Sequence, residues 1–390
     1  MTAEMTSRER ALAVLRYQPY DRLPIVHFGF WGGQTPQKWA AEGHISTALA
    51  EAWADGNAAD LELGGMLGFD FNWQCMFGGS GGLRPGFESR VVEEFPDGSR
   101  HVLNGNGVVI VQRPEAGSIP AEISHLLKDR ASWEEHYKHR LQWCEERVTE
   151  VHVVRGEVSV PWSEGGLEIL QKAEWDTPYG IHCGSLYGLV RNLLGLEGSC
   201  YLHADDDELF TEIIDTVAEL CYRKTEYVLQ AGARFDFGHF WEDISFKNGP
   251  LISPPVFYEK VGPHYRRITD LLARHGIDIV SLDSDGCIDA LIPTWFENGV
   301  NTMFPIEVGT WEASIAPWRE QYGRDLRGVG GMNKNVFARD RAAVDAEVER
   351  LVPLVELGGF IPCPDHRIPP DAEYDNVRYY CDQMHAAFGG

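Results

Sequence analysis

The stretch GIDIVSLDSDGCIDALIPTWFENGVNTMFPIE, residues 276–307, shows how this chain is built. The apolar run GIDIV is typical of a buried strand, and the ALIPTWFENGV that follows has the composition of a helix. A second apolar run begins directly behind Gly299, and glycine commonly ends a helix. A strand, a helix and a second strand in this order predict a parallel βα unit.

The same alternation continues through the C-terminal half of the chain. The strand-like segments are YGIHCGS, ARFDFGHF, GIDIVSLDS, VNTMFPIE, LRGVGGM and GGFIPCPD. Longer helical patterns separate them, and DRLPIVHF (21–28) adds an N-terminal strand. Six consecutive units plus this strand fit an α/β fold of the (β/α)8 TIM-barrel type better than an open sheet.

Two additions to the barrel are expected. RERALAVLRYQ, with Thr6 or Ser7 as its cap, predicts an N-terminal helical extension. SRVVEEF, the turn PDGS and RHVLNGNGVVIVQ predict a small antiparallel β-hairpin inserted at about 88–112. Because there is no linker and no repeat with an obvious period, a single domain over 1–390 is the simplest interpretation.

Composition narrows the class of protein. The chain has 390 residues and a net charge of −25, which argues against binding nucleic acid. No apolar run approaches the roughly 18 residues of a membrane span, and the polar N-terminus has no signal-peptide core. A cytoplasmic protein is therefore expected, with its eight cysteines reduced and an oligomer possible.

Polar side chains collect where the predicted strands end, which is the active-site edge of such a barrel. A surplus of acids and histidines in one place indicates acid–base chemistry or metal binding. The predicted catalytic residues are His239, Glu242, Asp283 and Glu307. The predicted substrate-binding residues are Trp31, Trp241, Asp243, Asn333 and Asp365.

Asp283 and Asp285 pose the sharpest question. In extended backbone their side chains point the same way, and two like charges repel unless a cation or a shared proton separates them. With His366 they could form a three-ligand site for Zn²⁺, Mn²⁺ or Fe²⁺. Without a metal, one of the two could hold a proton and act as a general acid. Alternatively, Asp285 and Gly286 only form a turn.

Four segments resemble the uroporphyrinogen decarboxylase superfamily. They are SRERALAVLRYQPYDRLPI, GSLYGLVRNLLGLEGSCYLHADDDELFTEIID, GPLISPPVFYEKVGPHYRRITDLLARHG and GGFIPCPDHRIPPDAEYDNVRYY. The resemblance implies a (β/α)8 barrel with its site at the C-terminal mouth. It also implies one of two activities: decarboxylation without a cofactor, or corrinoid-dependent methyl transfer.

The chain departs from both patterns. Decarboxylases carry an arginine-rich loop after the first strand, but HFGFWGGQTPQKW (27–39) has no arginine, so the chain resembles the methyltransferase branch more closely. Those methyltransferases bind Zn²⁺ through His-x-Cys and a later Cys. Here the positions read Asp283-x-Asp285 and His366, with Cys363 three residues earlier. Such harder ligands suit an oxygen-containing substrate better than a thiol.

Three functions follow. The preferred one is a corrinoid-linked methyltransferase, similar to O-demethylases, moving a methyl group between a small methylated or methoxylated compound and a separate cobalamin protein. A divalent metal such as Zn²⁺ would polarise the substrate in that case. The first alternative is a decarboxylase of a different carboxylic acid, which needs no cofactor. The second is a non-catalytic barrel that binds a small molecule.

Overall fold

A computed structural model describes residues 4–113 and 120–389, in which eight strands form the wall of a barrel. Residues 1–3, 114–119 and 390 of the predicted 1–390 domain lie outside the described residues. The barrel strands, β1 to β8, are Val26–His27, Phe71–Asn72 with Met76–Phe77, Gly180–Gly184, Phe237–Trp241, Val280–Asp283, Thr302–Phe304, Arg327–Met332 and Phe360–Pro364.

Parallel pairing runs from β2 through β8 in chain order, and the first segment of β2 pairs with β1. Two backbone hydrogen bonds close the ring just beyond β1 and β8. Trp31 N donates to Ile368 O at 2.9 Å, and Ile368 N donates to Gly29 O at 3.0 Å. The predicted (β/α)8 barrel is confirmed.

The second strand is broken in its middle. Phe71 pairs with Val26 of β1, whereas Met76 pairs with Gly180 of β3. In the break, the Gln74 backbone N–H donates to Asn72 Oδ1 at 2.9 Å, so a side chain satisfies a donor that the ladder leaves open. The break frees Gln74 from the wall and lets its side chain reach the barrel mouth.

The N-terminal helix Ser7–Leu15 begins as predicted, with Thr6 as its cap. Thr6 accepts from Glu9 N, and the Glu9 carboxylate accepts in return from Thr6 N, a reciprocal capping box. The α-helices of four or more residues that follow are Gln34–Ala41, Thr47–Ala52, Ala58–Leu67, Glu146–Thr149, Gly166–Lys172, Gly188–Asp205, Asp207–Gln230, Pro254–Lys260, Gly262–Arg274, Ile292–Glu297, Val308–Trp311, Ile315–Tyr322, Arg341–Glu356 and Tyr374–Phe388.

The insertion after β2 is larger than the predicted 88–112 hairpin. It is an antiparallel sheet with four described strands, Arg90–Glu94, Arg100–Leu103, Val108–Gln112 and Glu122–His125. Short hairpins also lie at 152–161 and at 245–250.

The core lies inside the barrel and between its wall and the surrounding helices, where most apolar side chains are buried. Interior positions of β4, β5 and β6 carry His239, Ser281 and Phe304, all nearly inaccessible to solvent. In the part of the chain that the structure describes, no helix has both the length and the apolar character needed to cross a membrane.

Candidate active site

A cavity of about 490 Å³ opens at the C-terminal ends of the barrel strands. Its walls come from segments that are far apart in sequence but adjacent in the ring, as expected for this fold. The lining residues are Phe28, Trp31, Gly32, Gln74, Trp241, Asp243, Asp283, Asp285, His366 and Arg367. Of the residues predicted to act in the site, six line this cavity: Trp31, Trp241, Asp243, Asp283, Asp285 and His366.

Asp283 is the last residue of β5, and only 4 % of it is exposed. Burial, together with the neighbouring carboxylates of Asp285 and Asp243, raises the pKa of Asp283 well above that of an ordinary carboxyl. The charge of Arg367 and the hydrogen bond that Gln74 Nε2 donates to Asp283 Oδ2 at 3.1 Å lower the pKa without cancelling this shift. Asp283 is therefore held toward its protonated form, in which it can donate a proton.

Gln74 is a residue of the site that the sequence did not reveal. It stands between two short strand segments, Phe71–Asn72 and Met76–Phe77, in the largely apolar stretch FNWQCMF. The signal that could have found it is a polar residue inside an apolar segment, which is the feature that drew attention to Asp283. Its role depends on the break in β2, which only the pairing of that strand with its two neighbours determines.

Asp285 and His366 form a pair at the side of the cavity. His366 Nε2 lies 3.2 Å from Asp285 Oδ2, and the imidazole ring lies 5.5 Å from the Phe28 ring and 5.3 Å from the Trp31 ring. The other Asp285 oxygen, Oδ1, is buried and has no hydrogen-bond partner within the described ranges. The pair places a carboxylate and an imidazole next to Asp283.

The predicted metal set of Asp283, Asp285 and His366 does not fit a divalent ion. Among residues 4–113 and 120–389, no three His, Cys, Asp or Glu side chains are grouped to hold one. His366 Nε2 faces Asp285 instead of a shared centre. Cys363, three residues before His366, is buried, and burial raises the pKa of its thiol.

Asp243 reaches the cavity through an unusual backbone. It follows β4 with a φ of +50°, in the left-handed region that residues other than glycine rarely adopt. The guanidinium of Arg191 donates to the Asp243 backbone carbonyl at 2.8 Å and lies 3.5 Å from the carboxylate. Burial and the charge of Asp285 raise the pKa of Asp243.

Arg367 is the cation of the cavity, and it is already paired. Its two terminal nitrogens donate to Asp55 Oδ1 at 3.1 Å and to Asp55 Oδ2 at 2.7 Å, a bidentate geometry. The guanidinium carbon lies 5.4 Å from the centre of the Phe28 ring. At Gly29, with φ of +78°, a Cβ atom would come within 2.5 Å of Asp55 and 2.6 Å of Arg367, so glycine makes room for the pair.

Glu242, which we predicted to be catalytic, is buried away from the cavity. Its carboxylate accepts from the backbone N–H groups of Leu186, Tyr187 and Gly188 at 2.8, 2.9 and 2.7 Å. The Tyr265 hydroxyl donates to the same carboxylate. These four hydrogen bonds join β4 to the start of the helix Gly188–Asp205 and to the helix Gly262–Arg274, a structural role.

Glu307 lies under the loop that carries Asp285 and does not line the cavity. Glu307 Oε2 accepts from Gly286 N at 2.5 Å, and Oε1 accepts from the Thr310 hydroxyl at 3.0 Å. Burial, followed by the charge of Asp285, raises the pKa of Glu307. The geometry fits a residue that positions the Asp285 loop.

Asn333 and Asp365, predicted to bind substrate, also face the scaffold. Asp365 is fully buried and accepts from Gly309 N at 2.7 Å and from Lys334 N at 3.1 Å. Asn333 Oδ1 accepts from Asn335 N at 3.1 Å. Both side chains fix the loops behind the cavity wall.

His239, which was predicted to be catalytic, lies inside the barrel and does not line the cavity. It is two positions before Trp241 on β4, and its Nδ1 lies 2.5 Å from Ser281 Oγ. Burial lowers its pKa well below that of a free histidine, so the ring is neutral. Its Nε2 finds no hydrogen-bond partner in the described parts of the chain.

Comparisons with known proteins agree with this architecture. A family model for uroporphyrinogen decarboxylase (URO-D) matches residues 156–387. A search of the curated proteins finds no match. Among solved structures, a methyltransferase from Methanosarcina mazei has a TM-score of 0.59 and 15 % identity, covering 98 % of this chain and all of that chain.

A second similar structure is a B12-independent methionine synthase from Shewanella sp. W3-18-1, with a TM-score of 0.48 and 10 % identity, covering 94 % of this chain and 96 % of that chain. At these identities the likeness to solved structures concerns the fold. The family match covers more than half of the chain and includes six of its eight barrel strands. The protein therefore belongs to the uroporphyrinogen decarboxylase family, as its sequence resemblance indicated.

Proposed function

We propose that the protein is a methyltransferase that takes a methyl group from a small methyl ether and passes it to a corrinoid on a separate protein. The observation that carries this proposal is a buried carboxyl group, Asp283, that faces two other acids at an aromatic-walled cavity whose arginine is already paired. A carboxylic acid held neutral at a strand end is suited to protonate a leaving oxygen.

The chemistry assigned to this chain is one proton transfer. Cleavage of the ether leaves both electrons of the carbon–oxygen bond on oxygen, and the proton of Asp283 neutralises the alkoxide that forms. A reduced corrinoid, when bound, supplies the electron pair that receives the methyl group. The Gln74 amide stabilises the resulting Asp283 carboxylate through its hydrogen bond at 3.1 Å. The neighbouring Asp285–His366 pair can return a proton to Asp283.

The charge of the cavity argues against the decarboxylase alternative. A carboxylate substrate would enter between Asp243, Asp283 and Asp285. Arg367 offers no unpaired guanidinium, because Asp55 binds both of its terminal nitrogens. Recognition of an acid normally requires such a cation.

The rim of the mouth offers a surface that a corrinoid protein could cover. The hairpin at 245–250 lies against the Asp285 loop, since Cys287 N donates to Phe246 O at 2.8 Å. Phe246 is 56 % exposed there. In the proposed complex the partner covers the mouth, and Phe246 is one of its contacts.

The test is methyl transfer with reduced free cobalamin as the acceptor and a panel of small methyl ethers, both neutral and charged. Loss of the Co(I) absorbance and formation of the demethylated alcohol are measured together. We expect Asp283→Asn to lower the rate by about 100- to 10,000-fold, the usual contribution of a general acid. Asp371→Asn, an exposed acid outside the cavity, should leave the rate unchanged.

Two results would contradict the proposal. Release of CO₂ from a carboxylic acid without a corrinoid would establish the decarboxylase instead. Binding of a ligand without turnover in either assay, with Asp283→Asn changing affinity only, would indicate a non-catalytic barrel.

A further inference from the structure

We infer that the substrate of this site is an organic cation, whose ammonium group lies against Asp243 between the rings of Trp31 and Trp241. The inference names the substrate class of the proposed methyl transfer: a methyl ether that also carries a positive charge. Its claim about charge concerns binding alone, so it can be tested without any turnover.

The cavity holds more acidic than basic groups. Asp243, Asp283 and Asp285 line it, against His366 and Arg367. Arg367 is matched by Asp55, which is not part of the lining, and His366 is matched by Asp285. Asp283 accepts a hydrogen bond from Gln74, another residue of the lining. Asp243 is therefore the acid of the described lining whose carboxylate has no partner among the other lining residues.

Arg191, which is outside the lining, leaves the Asp243 carboxylate accessible from the cavity. Its nearest amino group donates to the Asp243 backbone carbonyl at 2.8 Å, whereas its distance to the carboxylate is 3.5 Å. No hydrogen bond to the Asp243 carboxylate is formed by any of the residues that the structure describes. The arginine fixes the loop through the carbonyl and forms an ion pair with the carboxylate, whose hydrogen-bonding positions remain open to a ligand.

The backbone of Asp243 points to the same conclusion. A φ of +50° is unfavourable for aspartate, and such residues persist where the surrounding structure imposes them, often at ligand sites. Here the fully hydrogen-bonded Glu242 holds the preceding residue, and Arg191 holds the Asp243 carbonyl. Two neighbours thus maintain a conformation that turns a carboxylate into the cavity.

The walls distinguish an organic cation from a metal ion. Trp31, Trp241 and Phe28 present aromatic rings, and aromatic faces attract a desolvated ammonium group, particularly a methylated one. A hard metal ion would instead need several oxygen ligands around one centre, which the described residues do not provide. A volume of about 490 Å³ is suitable for a small organic molecule.

The test compares three molecules of nearly the same shape and different charge: choline, the neutral 3,3-dimethylbutan-1-ol and the anionic 3,3-dimethylbutanoate. Binding is measured by titration calorimetry and by tryptophan fluorescence, with no corrinoid present. We expect choline to bind at least about tenfold more tightly than the alcohol, as cation–π and ionic contacts in a partly desolvated site imply. The butanoate should not bind measurably.

Asp243→Asn is the decisive variant, because asparagine tolerates a positive φ as well as aspartate does. It should reduce choline binding to the level of the alcohol while leaving the alcohol itself unaffected. Asp371→Asn, which removes an exposed acid elsewhere, should keep the full preference for choline.

The inference is overturned if choline fails to bind, if the alcohol or the butanoate binds as tightly as choline, or if Asp243→Asn retains the preference. These outcomes are separable from failure of the proposed function. A preference for choline without methyl transfer from any ether would remove the methyltransferase proposal only. Methyl transfer from neutral ethers without preference for charge would remove this inference only.

Discussion

Two buried carboxyl groups stand side by side at the ends of β4 and β5, and they have different roles. The Glu242 backbone N–H even donates to the Asp283 carbonyl, at 2.8 Å. Burial raises the pKa of both side chains. Glu242, however, accepts four hydrogen bonds from the scaffold, whereas Asp283 accepts one from Gln74 and faces two other acids across a cavity. Burial alone does not identify a catalytic acid, because the hydrogen-bond partners decide its role.

The largest expected change in stability follows replacement of Glu242. Glu242→Gln replaces one accepting oxygen with an NH₂ group that meets backbone donors, so buried N–H groups lose their acceptor. We expect the free energy of unfolding to fall by about 2–4 kcal/mol, the range for breaking a buried, charge-assisted network. Denaturant titration followed by circular dichroism measures it.

A graded control is Tyr265→Phe, which removes one of the four donors to Glu242 and should cost only about 1 kcal/mol. If Glu242→Gln were as stable as the wild type, the carboxylate would not be the structural junction described above.

Replacement of Asp283 is expected to change the free energy of unfolding less, and to increase it. Its folded pKa lies above the unfolded value of about 3.9, so the folded state binds the extra proton and loses stability as pH rises from about 4 toward the folded pKa. Asp283→Asn removes this loss and keeps an oxygen that can accept from Gln74. The variant should therefore be more stable than the wild type at neutral pH, although we expect its rate of methyl transfer to be lower.

Denaturation of both proteins between about pH 4 and pH 8 measures the difference, which should grow as pH increases. A variant that is less stable than the wild type at every pH would mean that Asp283 is ionised and stabilising, like an ordinary buried ion pair.

The smallest effect expected is a displacement of the pH–rate profile in Asp285→Asn. Asp285 is the first charged group that raises the pKa of Asp283, so removing its charge lowers that pKa. Because the acid must be protonated to act, activity should be lost at a lower pH than in the wild type. The rate of methyl transfer is measured as a function of pH. If the alkaline limb of the profile does not move, Asp283 is not the group whose deprotonation limits the rate.

Much of the fold followed from local sequence signals. The apolar run before Asp283 and the glycine before Val300 were enough to predict β5, the helix after it and β6. We predicted too few strands for the insertion. The turn PDGS was recognised as a hairpin turn, but the turn NGNG, residues 104–107, was not, although Asn-Gly pairs favour hairpins.

The site was harder to predict, since strand ends collect scaffold and cavity residues alike. From the sequence, Glu242 and Asp283 were both predicted to be catalytic acids. The hydrogen-bond donors that give Glu242 a structural role come from residues 186–188 and from Tyr265, and only the folded barrel brings them near it. Gln74 was missed for a similar reason. Its reach to Asp283 spans 209 residues of sequence and depends on a break within a strand.

The Asp55–Arg367 pair also has an evolutionary consequence. Its arginine belongs to the cavity, while its aspartate stands behind the wall next to Gly29. A change of Asp55 to asparagine would leave the guanidinium in place and remove its counter-charge, turning a matched arginine into an anion receptor. We therefore expect that a single replacement outside the cavity lining can change which substrate charge this site accepts.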